Sequence, residues 1–451
     1  MIPALGGLGA RAAGASANAK GERSAASAGA AVGRPGEAVG RPGDTKTAST
    51  VGEAVGRPGE NAALVLLGRR LFFEPRLSDP PGTSCSSCHD PSRGFAGNNG
   101  SKKGVPRGSR EGHFARRNTP SVLYLAYVPH FHYYQEEDAP QPSAFGGFFW
   151  DGRSDSIADL VKQPLTNPNE MNNRDARSIA TALRAGGYDG DFGSALGVSL
   201  DDPDAAAAGL GRALEAFLTS AEMAPFSSKY DAYIRGQAVF TPIEERGLKL
   251  FRNADKGNCA SCHLLTLTSP TPSRSMFTDY GFDAVAVPRN AQLFAATHES
   301  GSAARGAGAR AAHGSVRGAD GRARDFDLGL CERTDRSVPS NDDKWCSSFR
   351  TPSLRNVAVR EAFMHNGAFI NLRDVVAFYA TRATSPMRWY KSGVKFEDVP
   401  PQFRDQVNIN SIPYNRRQGD VPALDDGDID AIVAFLGTLT DEVYLKKPPA
   451  R

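Results

Sequence analysis

The sequence predicts a mainly α-helical protein made of two similar domains. The chain has 451 residues, and a single hydrophobic core rarely grows past roughly 250 residues before the chain divides. Residues 149–164 can be laid over residues 364–379 without a gap. In the first copy Ile157, Leu160 and Val161 have helical spacing, and the second copy repeats it. These observations predict two helical domains related by internal duplication.

Two stretches lie outside the repeated design. Residues 1–61 are rich in Gly, Ala, Pro, Arg and Ser and repeat the string AVGRPG, so we expect a disordered arm there. Residues 299–348 are interpreted as an inserted loop, because their first half has a similar composition. We therefore place the two domains at 62–225 and 226–447.

The repeated elements occur in the same order in both domains. Residues 67–72 and 246–251 each predict a short amphipathic helix, and Thr241 followed by proline and two glutamates is a typical helix start. Downstream, RNTPSVL at 117–123 is echoed by RTPSL at 350–354. The order of the repeats therefore predicts the same succession of elements in each domain.

Composition and charge exclude two classes of protein. Lysine and arginine number 53 against 50 acidic residues, so the chain lacks the basic field that nucleic-acid binding needs. The longest apolar stretch, at 62–67, is far shorter than the roughly 18 residues of a membrane span. We expect no nucleic-acid partner and no transmembrane segment.

The pattern C-x-x-C-H occurs twice, at residues 85–89 and 259–263. Its two thiols can bond covalently to the vinyl groups of one haem while the adjacent histidine reaches the iron. A lone match could be a redox dithiol or half of a zinc site, but zinc needs four ligands and the sequence has no further C-x-x-C pair. We therefore predict two covalently bound haem c groups. The predicted haem-binding residues are Cys85, Cys88, His89, Cys259, Cys262 and His263.

The two remaining cysteines, Cys331 and Cys346, lie in the inserted loop. Haem c is attached outside the reducing cytosol, so we predict a periplasmic protein in which these thiols form a disulfide. Two unpaired thiols are the alternative. The first residues lack the compact apolar core of a signal peptide, so we expect the signal upstream or a misassigned start.

Two differences between the aligned copies stand out, and the first bears on haem ligation. Pro164 takes the place of Tyr379, and Trp150 takes the place of His365. Proline has no group that binds iron, whereas a tyrosine oxygen can be an axial haem ligand. The first haem would then be open, and the second would be closed by His263 and Tyr379. From spacing alone, a core aromatic on an amphipathic helix is the simpler interpretation of Tyr379.

With these motifs the sequence resembles the bacterial di-haem cytochrome c peroxidases and their relative MauG. The strings GFAG, RNTPSVLYLAY, FFWDGR, NPNEM, FRTPSLRNVAV and FMHNG carry the resemblance, which spans residues 62–445. It implies two cytochrome c-like domains that face each other across a pair of haems. It also implies that the N-terminal haem reacts with peroxide and that the C-terminal haem passes electrons or shares oxidising charge.

The resemblance assigns roles to individual residues. Tyr379 stands where MauG-like members have a tyrosine ligand and other members a methionine, which implies a low-potential second haem. Trp150 matches a tryptophan between the haems that bridges electron transfer. Glu170 matches a distal carboxyl that moves protons during peroxide cleavage, and Pro164 leaves the first iron open. Locally, Glu170 could instead cap a helix and Trp150 could be an interdomain core residue.

The resemblance also implies a calcium ion between the domains, bound by the Asn118 side chain and the main-chain oxygens of Arg360 and Ala362. On local grounds Asn118 is equally a turn residue. The sequence departs from the family twice. Leu160 replaces a glutamine that precedes the distal proline, and His113 is offset from the histidine that caps the first haem in resting members. We interpret His113 as an exposed loop residue.

Together these features predict a di-haem peroxidase. Hydrogen peroxide would bind on the His89 side, Glu170 would assist cleavage of the O–O bond, and Trp150 would link the haems. Electrons would come from a small periplasmic donor protein or from a protein substrate, as in MauG-like members. Two alternatives are a conventional cytochrome c peroxidase that detoxifies peroxide and a non-catalytic di-haem electron carrier, against which Pro164 and Glu170 argue.

Overall fold

The fold is taken from a computed structural model, which describes residues 61–135, 142–265, 267, 274–294, 315–317, 323–333 and 343–445. The predicted arm at 1–61 lies outside these residues, apart from Asn61. Much of the inserted loop also lies outside them, at 299–314, 318–322 and 334–342.

Helices dominate the regular structure, as the sequence predicts, and the strands are short. The helices are α1 (Ala62–Phe72), α2 (Cys85–Cys88), α3 (Ile157–Thr166), α4 (Ala176–Ala185), α5 (Asp189–Leu196), α6 (Pro203–Leu218), α7 (Lys229–Ile234), α8 (Pro242–Arg252), α9 (Ala291–Phe294), α10 (Leu372–Thr381), α11 (Asp426–Gly437) and α12 (Glu442–Leu445). The strands are β1 (His132–Tyr134), β2 (Ser143–Phe145), β3 (Phe282–Asp283), β4 (Ser315–Arg317), β5 (Ala323–Asp325) and β6 (Phe349–Arg350). Antiparallel pairs form between β1 and β2, between β3 and β6, and between β4 and β5.

The helix ahead of each C-x-x-C-H motif packs in the same way. Helix α1 packs on α6, and α8 packs on α11. A Cβ atom on Gly68 would lie 1.8 Å from the Ala213 carbonyl oxygen, and one on Gly247 would lie 1.9 Å from the Ala431 carbonyl oxygen. Both crossings therefore require glycine, because any larger residue would overlap the backbone of the partner helix.

The buried apolar side chains form two clusters. Members of the first run from Leu67 to Ala224, and members of the second from Tyr230 to Leu439. Each cluster borders one large cavity, for example through Phe72 in the first and Phe251 in the second. Within the described ranges, no helix combines the length and the apolar character needed to cross a bilayer.

Candidate active site

A cavity of ≈ 380 Å³ lies against the first cluster. Cys85 and Cys88 begin and end α2, and His89 follows directly. The turn is closed because the His89 amide donates to the Cys85 carbonyl at 2.8 Å. Seven of the predicted site residues line this cavity: Cys85, Cys88, His89, Asn118, Trp150, Pro164 and Glu170.

Main-chain carbonyl groups orient the His89 ring. Its Nδ1 donates to the Phe95 carbonyl at 3.1 Å, since a carbonyl oxygen can only accept. Burial lowers the pKa of His89 to about 4, so the ring is neutral at physiological pH. The lone pair on Nε2 is therefore available to bind iron.

A second cavity, of ≈ 200 Å³, repeats this arrangement. The His263 amide donates to the Cys259 carbonyl at 2.8 Å, and Nδ1 of His263 donates to the Phe277 carbonyl at 3.0 Å. Burial again lowers the pKa of the imidazole to about 4. Because Cys262 also lines the cavity, each half presents two thiols and one neutral imidazole on a cavity wall.

Burial keeps the four motif thiols protonated. It raises the pKa of Cys85, Cys88 and Cys259 to about 12 and that of Cys262 to about 11. In the part of the chain that the structure describes, no three His, Cys, Asp or Glu side chains gather into a group that could hold a metal ion. The geometry therefore does not favour zinc. Paired neutral thiols beside a free imidazole nitrogen, in a largely apolar cavity, do fit a covalently attached haem.

Helices α3 and α10 bring different residues to the two cavities. Pro164 lies inside α3 and lines the first, whereas Tyr379 lies on α10 and lines the second. The Tyr379 ring stacks with the Tyr414 ring at a centroid distance of 5.7 Å. Burial raises the pKa of Tyr379 above its usual value. The phenol therefore stays protonated unless a metal ion takes the place of its proton.

Glu170 lies in the turn after α3, on the wall of the first cavity. Its Oε1 accepts a hydrogen bond from Nδ2 of Asn167 at 2.9 Å. Burial raises the pKa of Glu170 above its ordinary value, although Arg153 and Asn167 act in the opposite direction. A carboxyl group with a raised pKa can both accept a proton and return it.

Trp150 lines both cavities. Its indole is buried, and Nε1 donates to the Asn118 carbonyl at 2.8 Å. Its main-chain carbonyl accepts from the Arg350 amide at 2.8 Å. These bonds fix the indole on the wall that the two cavities share.

The predicted calcium ligands are neighbours, but direct hydrogen bonds join them. Nδ2 of Asn118 donates to the carbonyls of Ala362 at 3.0 Å and Met364 at 3.1 Å. The Ala362 carbonyl also accepts from Nε of Arg360 at 3.3 Å. A calcium ion needs several oxygen atoms turned towards it. Asn118 and Ala362 are therefore neighbours, and the calcium site stays a prediction.

The inserted loop forms part of the first cavity, which sequence reasoning missed. Glu332 lines this cavity. It is adjacent to Cys331, which is joined to Cys346 by a disulfide in the structure. Arg117 donates to Asp327 of the insert at 2.7 Å. These contacts link residues about two hundred positions apart, and no local pattern in the sequence predicts them.

Two histidines that lie outside the C-x-x-C-H motifs are close to the cavities. Nδ1 of His113 lies 3.0 Å from Oδ1 of Asn169, which itself lines the first cavity. His113 is half-buried, so it is less exposed than a free loop residue. His365 lines the second cavity and stacks on Phe349 at a centroid distance of 3.5 Å.

In sequence, the chain is similar to di-haem cytochrome c peroxidases and to MauG proteins. A family model described as di-haem cytochrome c peroxidase matches residues 62–239. The methylamine utilization protein MauG of Paracoccus denitrificans is 36% identical over 389 residues, which are 85% of this chain and 89% of that protein. Cytochrome c551 peroxidase of Pseudomonas aeruginosa is 25% identical over 327 residues, 69% of this chain and 70% of that protein.

The solved structures add similarity in three dimensions. The crystal structure of the diheme peroxidase BthA from Burkholderia thailandensis is 47% identical, with a TM-score of 0.76. The match covers 87% of this chain and 89% of that one. A tyrosine-to-methionine variant of BthA matches with a TM-score of 0.77.

Proposed function

The chain belongs to the di-haem cytochrome c peroxidase and MauG family. We propose that it reduces hydrogen peroxide at a haem in the first cavity, and that this haem exchanges electrons with a haem in the second cavity. Family membership makes the protein a haem-dependent peroxidase, as the sequence predicts. The proposal assigns the individual steps to residues.

Each cavity would hold one covalently attached haem c. The protein groups that would bind them are Cys85, Cys88 and His89 in the first cavity and Cys259, Cys262, His263 and Tyr379 in the second. When bound with an open side, a haem iron supplies the redox chemistry that cleaves the O–O bond of peroxide.

The observation that carries the proposal is the contrast between Pro164 and Tyr379. They occupy corresponding positions of α3 and α10, and each lines its own cavity. Proline has no group that binds a metal, so the first cavity keeps room for peroxide. The Tyr379 oxygen can occupy the corresponding position in the second cavity. One cavity is thus suited to substrate and the other to electron transfer.

Glu170 moves the proton that peroxide cleavage requires. As a carboxylate it accepts a proton from one peroxide oxygen, and as a carboxylic acid it returns this proton to the other oxygen, which leaves as water. Two electrons and two further protons complete the reduction to two molecules of water. Asn167 holds the Glu170 carboxyl in place.

Trp150 offers the route for electrons between the cavities. It is the buried aromatic residue that lines both of them, and its hydrogen bonds to Asn118 and from Arg350 keep it fixed. An aromatic side chain in such a position can pass charge over a short distance.

A MauG-like activity is favoured over a conventional cytochrome c peroxidase by Tyr379, because a phenolate stabilises ferric iron more than a thioether does. The 36% identity to the MauG of Paracoccus denitrificans agrees with this. We propose a small periplasmic redox protein or an oxidisable protein substrate as the electron source. The periplasm follows from haem c attachment, which takes place outside the cytosol.

Haem content tests the proposal first. Denaturing electrophoresis with haem staining, and a pyridine haemochrome assay, should show two covalent haems per chain. The paired substitution Cys259→Ser and Cys262→Ser should leave one covalent haem, and the wild-type protein should change spectrum when peroxide is added. Haem released by acid acetone from the wild-type protein, or no response to peroxide, would refute the proposal.

A further inference from the structure

Arg350 stands between the two cavities and has no role in the steps described above. Its side chain lines both cavities, a position that it shares with Trp150. Its main chain is fixed, because it belongs to β6, which pairs with β3, and its amide donates to the Trp150 carbonyl at 2.8 Å. The main chain of Arg350 is therefore fixed at the wall that the two cavities share.

The guanidinium of Arg350 has donors without acceptors. Nε and Nη1 are buried, and neither has a hydrogen-bond partner among the residues that the structure describes. Tyr280 and Asp151 act to raise the pKa of Arg350, but Tyr280 is a phenol, and Asp151 already accepts from Arg117 at 2.5 Å and from Arg153 at 2.9 Å. Burial lowers the pKa of Arg350 to about 10. A buried cation of this kind is costly unless an anion pairs with it.

A nearby arginine of the first copy shows a contrast. Arg117 stands two residues before Thr119 in RNTPS, whereas Arg350 directly precedes Thr351 in RTPS, so the counterpart of Arg350 in the repeat is Asn118. Arg117 pairs with Asp151, Asp327 and Glu332 at 2.5, 2.7 and 3.2 Å, so protein carboxylates satisfy it. Carboxylates of the protein therefore neutralise Arg117, whereas two buried donors of Arg350 have no acceptor among the described residues.

The positions of the free donors indicate how many anions are needed. Nε and Nη1 do not share an edge of the planar guanidinium, so one carboxylate cannot accept from both as a bidentate partner. Two acceptors in different directions satisfy them. Because Arg350 borders both cavities, one acceptor can come from each.

We propose that Arg350 binds one carboxylate of the cofactor in each cavity, namely a propionate of each haem. The inference rests on the proposed function, since it takes both cavities to hold haem. Charge-assisted bonds from a guanidinium to carboxylates are among the stronger hydrogen bonds in proteins. A shared positive charge also disfavours the ferric state of both irons, and so raises both reduction potentials.

Charge-removing and charge-keeping variants test the inference. In Arg350→Gln the charge is lost while a polar group of moderate size remains, so both reduction potentials should fall in spectroelectrochemical titration of the holoprotein. In Arg350→Lys the charge remains, and both potentials should lie closer to the wild-type values. Arg373→Gln is the control, because Arg373 lies on the partly exposed face of α10, paired with Asp426 and Asp430. It should move neither potential.

The outcomes separate this inference from the proposed function. A fall of only one potential, or of neither, in an Arg350→Gln protein that retains two haems would overturn the inference and leave the proposed function intact. A wild-type protein without two covalent haems would overturn the proposed function. If Arg350→Gln does not fold, the inference is decided by Arg350→Lys, in which a change in one potential alone would contradict it.

Discussion

Replacing Glu170 by glutamine isolates the proton transfer that the proposed function requires. The substitution keeps the size of the side chain and removes its ability to exchange a proton. The amide oxygen can still accept the hydrogen bond that Asn167 now donates to Oε1 at 2.9 Å. Pro164 and the C-x-x-C-H residues of the first cavity are untouched, so haem content and the resting spectrum should persist.

The size of the effect follows from what remains in the cavity. General acid–base groups contribute about 10²- to 10⁴-fold to a rate. Glu170→Gln keeps the contact with Asn167 and the open position beside Pro164. The decrease in its rate with peroxide should therefore reflect the lost proton transfer alone. We expect the reaction of Glu170→Gln with peroxide to be slower by about a hundredfold or more, which corresponds to about 2.7 kcal/mol in the barrier.

The pH dependence gives an independent signature. If the carboxylate form of Glu170 accepts the first proton, as proposed, the wild-type rate should fall as the pH falls through the pKa of Glu170. Burial raises this pKa, so the fall should begin at a higher pH than for an exposed glutamate. Asn167→Ala removes a hydrogen bond that lowers the pKa and should move the fall to still higher pH. In Glu170→Gln this pH dependence should disappear.

Stopped-flow absorbance after mixing with peroxide measures these rates. Glu222→Gln is the matched control, because Glu222 is half-exposed and pairs with Arg69 on the surface at 3.3 Å. It should react at the wild-type rate. If Glu170→Gln also reacts at the wild-type rate over the whole pH range, Glu170 has no part in the proton transfer.

Three further predictions test the electron route and the packing. Tyr379→Met should raise the reduction potential of the second haem, because a thioether favours ferrous iron; a potential unchanged in spectroelectrochemistry would exclude Tyr379 as a ligand. Trp150→Phe should slow the spread of oxidation from the first haem to the second in stopped-flow spectra, and a wild-type rate would indicate another route. Gly68→Ala would place a Cβ 1.8 Å from the Ala213 oxygen and should cost about 1–3 kcal/mol or more in denaturant unfolding. Gly437→Ala, in open space, is its control, and equal stability of both variants would contradict this packing.

Local sequence patterns predicted the helical elements well, because each depends on neighbours along the chain. Residues 67–72 lie in α1, and residues 246–251 lie in α8. Thr241 caps α8, where its side chain accepts from the Glu244 amide and the Glu244 carboxylate accepts from the Thr241 amide at 2.7 Å. Apolar spacing and capping residues act within a few positions, so a sequence displays them directly.

Contacts between distant residues could not be predicted in this way. The sequence predicted only a disulfide in the insert, yet Asp327 and Glu332 pair with Arg117 beside the first cavity. Arg350 belonged only to a repeated string, and its position between two cavities depends on the pairing of β6 with β3. The expected calcium ligands do lie together, but which atoms of Asn118 and Ala362 face each other depends on packing that no local pattern encodes.

Low-temperature EPR of the resting oxidised protein tests the central claim, that the two cavities hold haems with unequal ligands, most directly. In the proposed function, Pro164 would leave the first iron without a side-chain ligand on its open side, and Tyr379 would supply one to the second. We predict one high-spin and one low-spin ferric signal of equal intensity, without prior reduction. Two low-spin signals, or two high-spin signals, in protein with both haems bound would contradict the account.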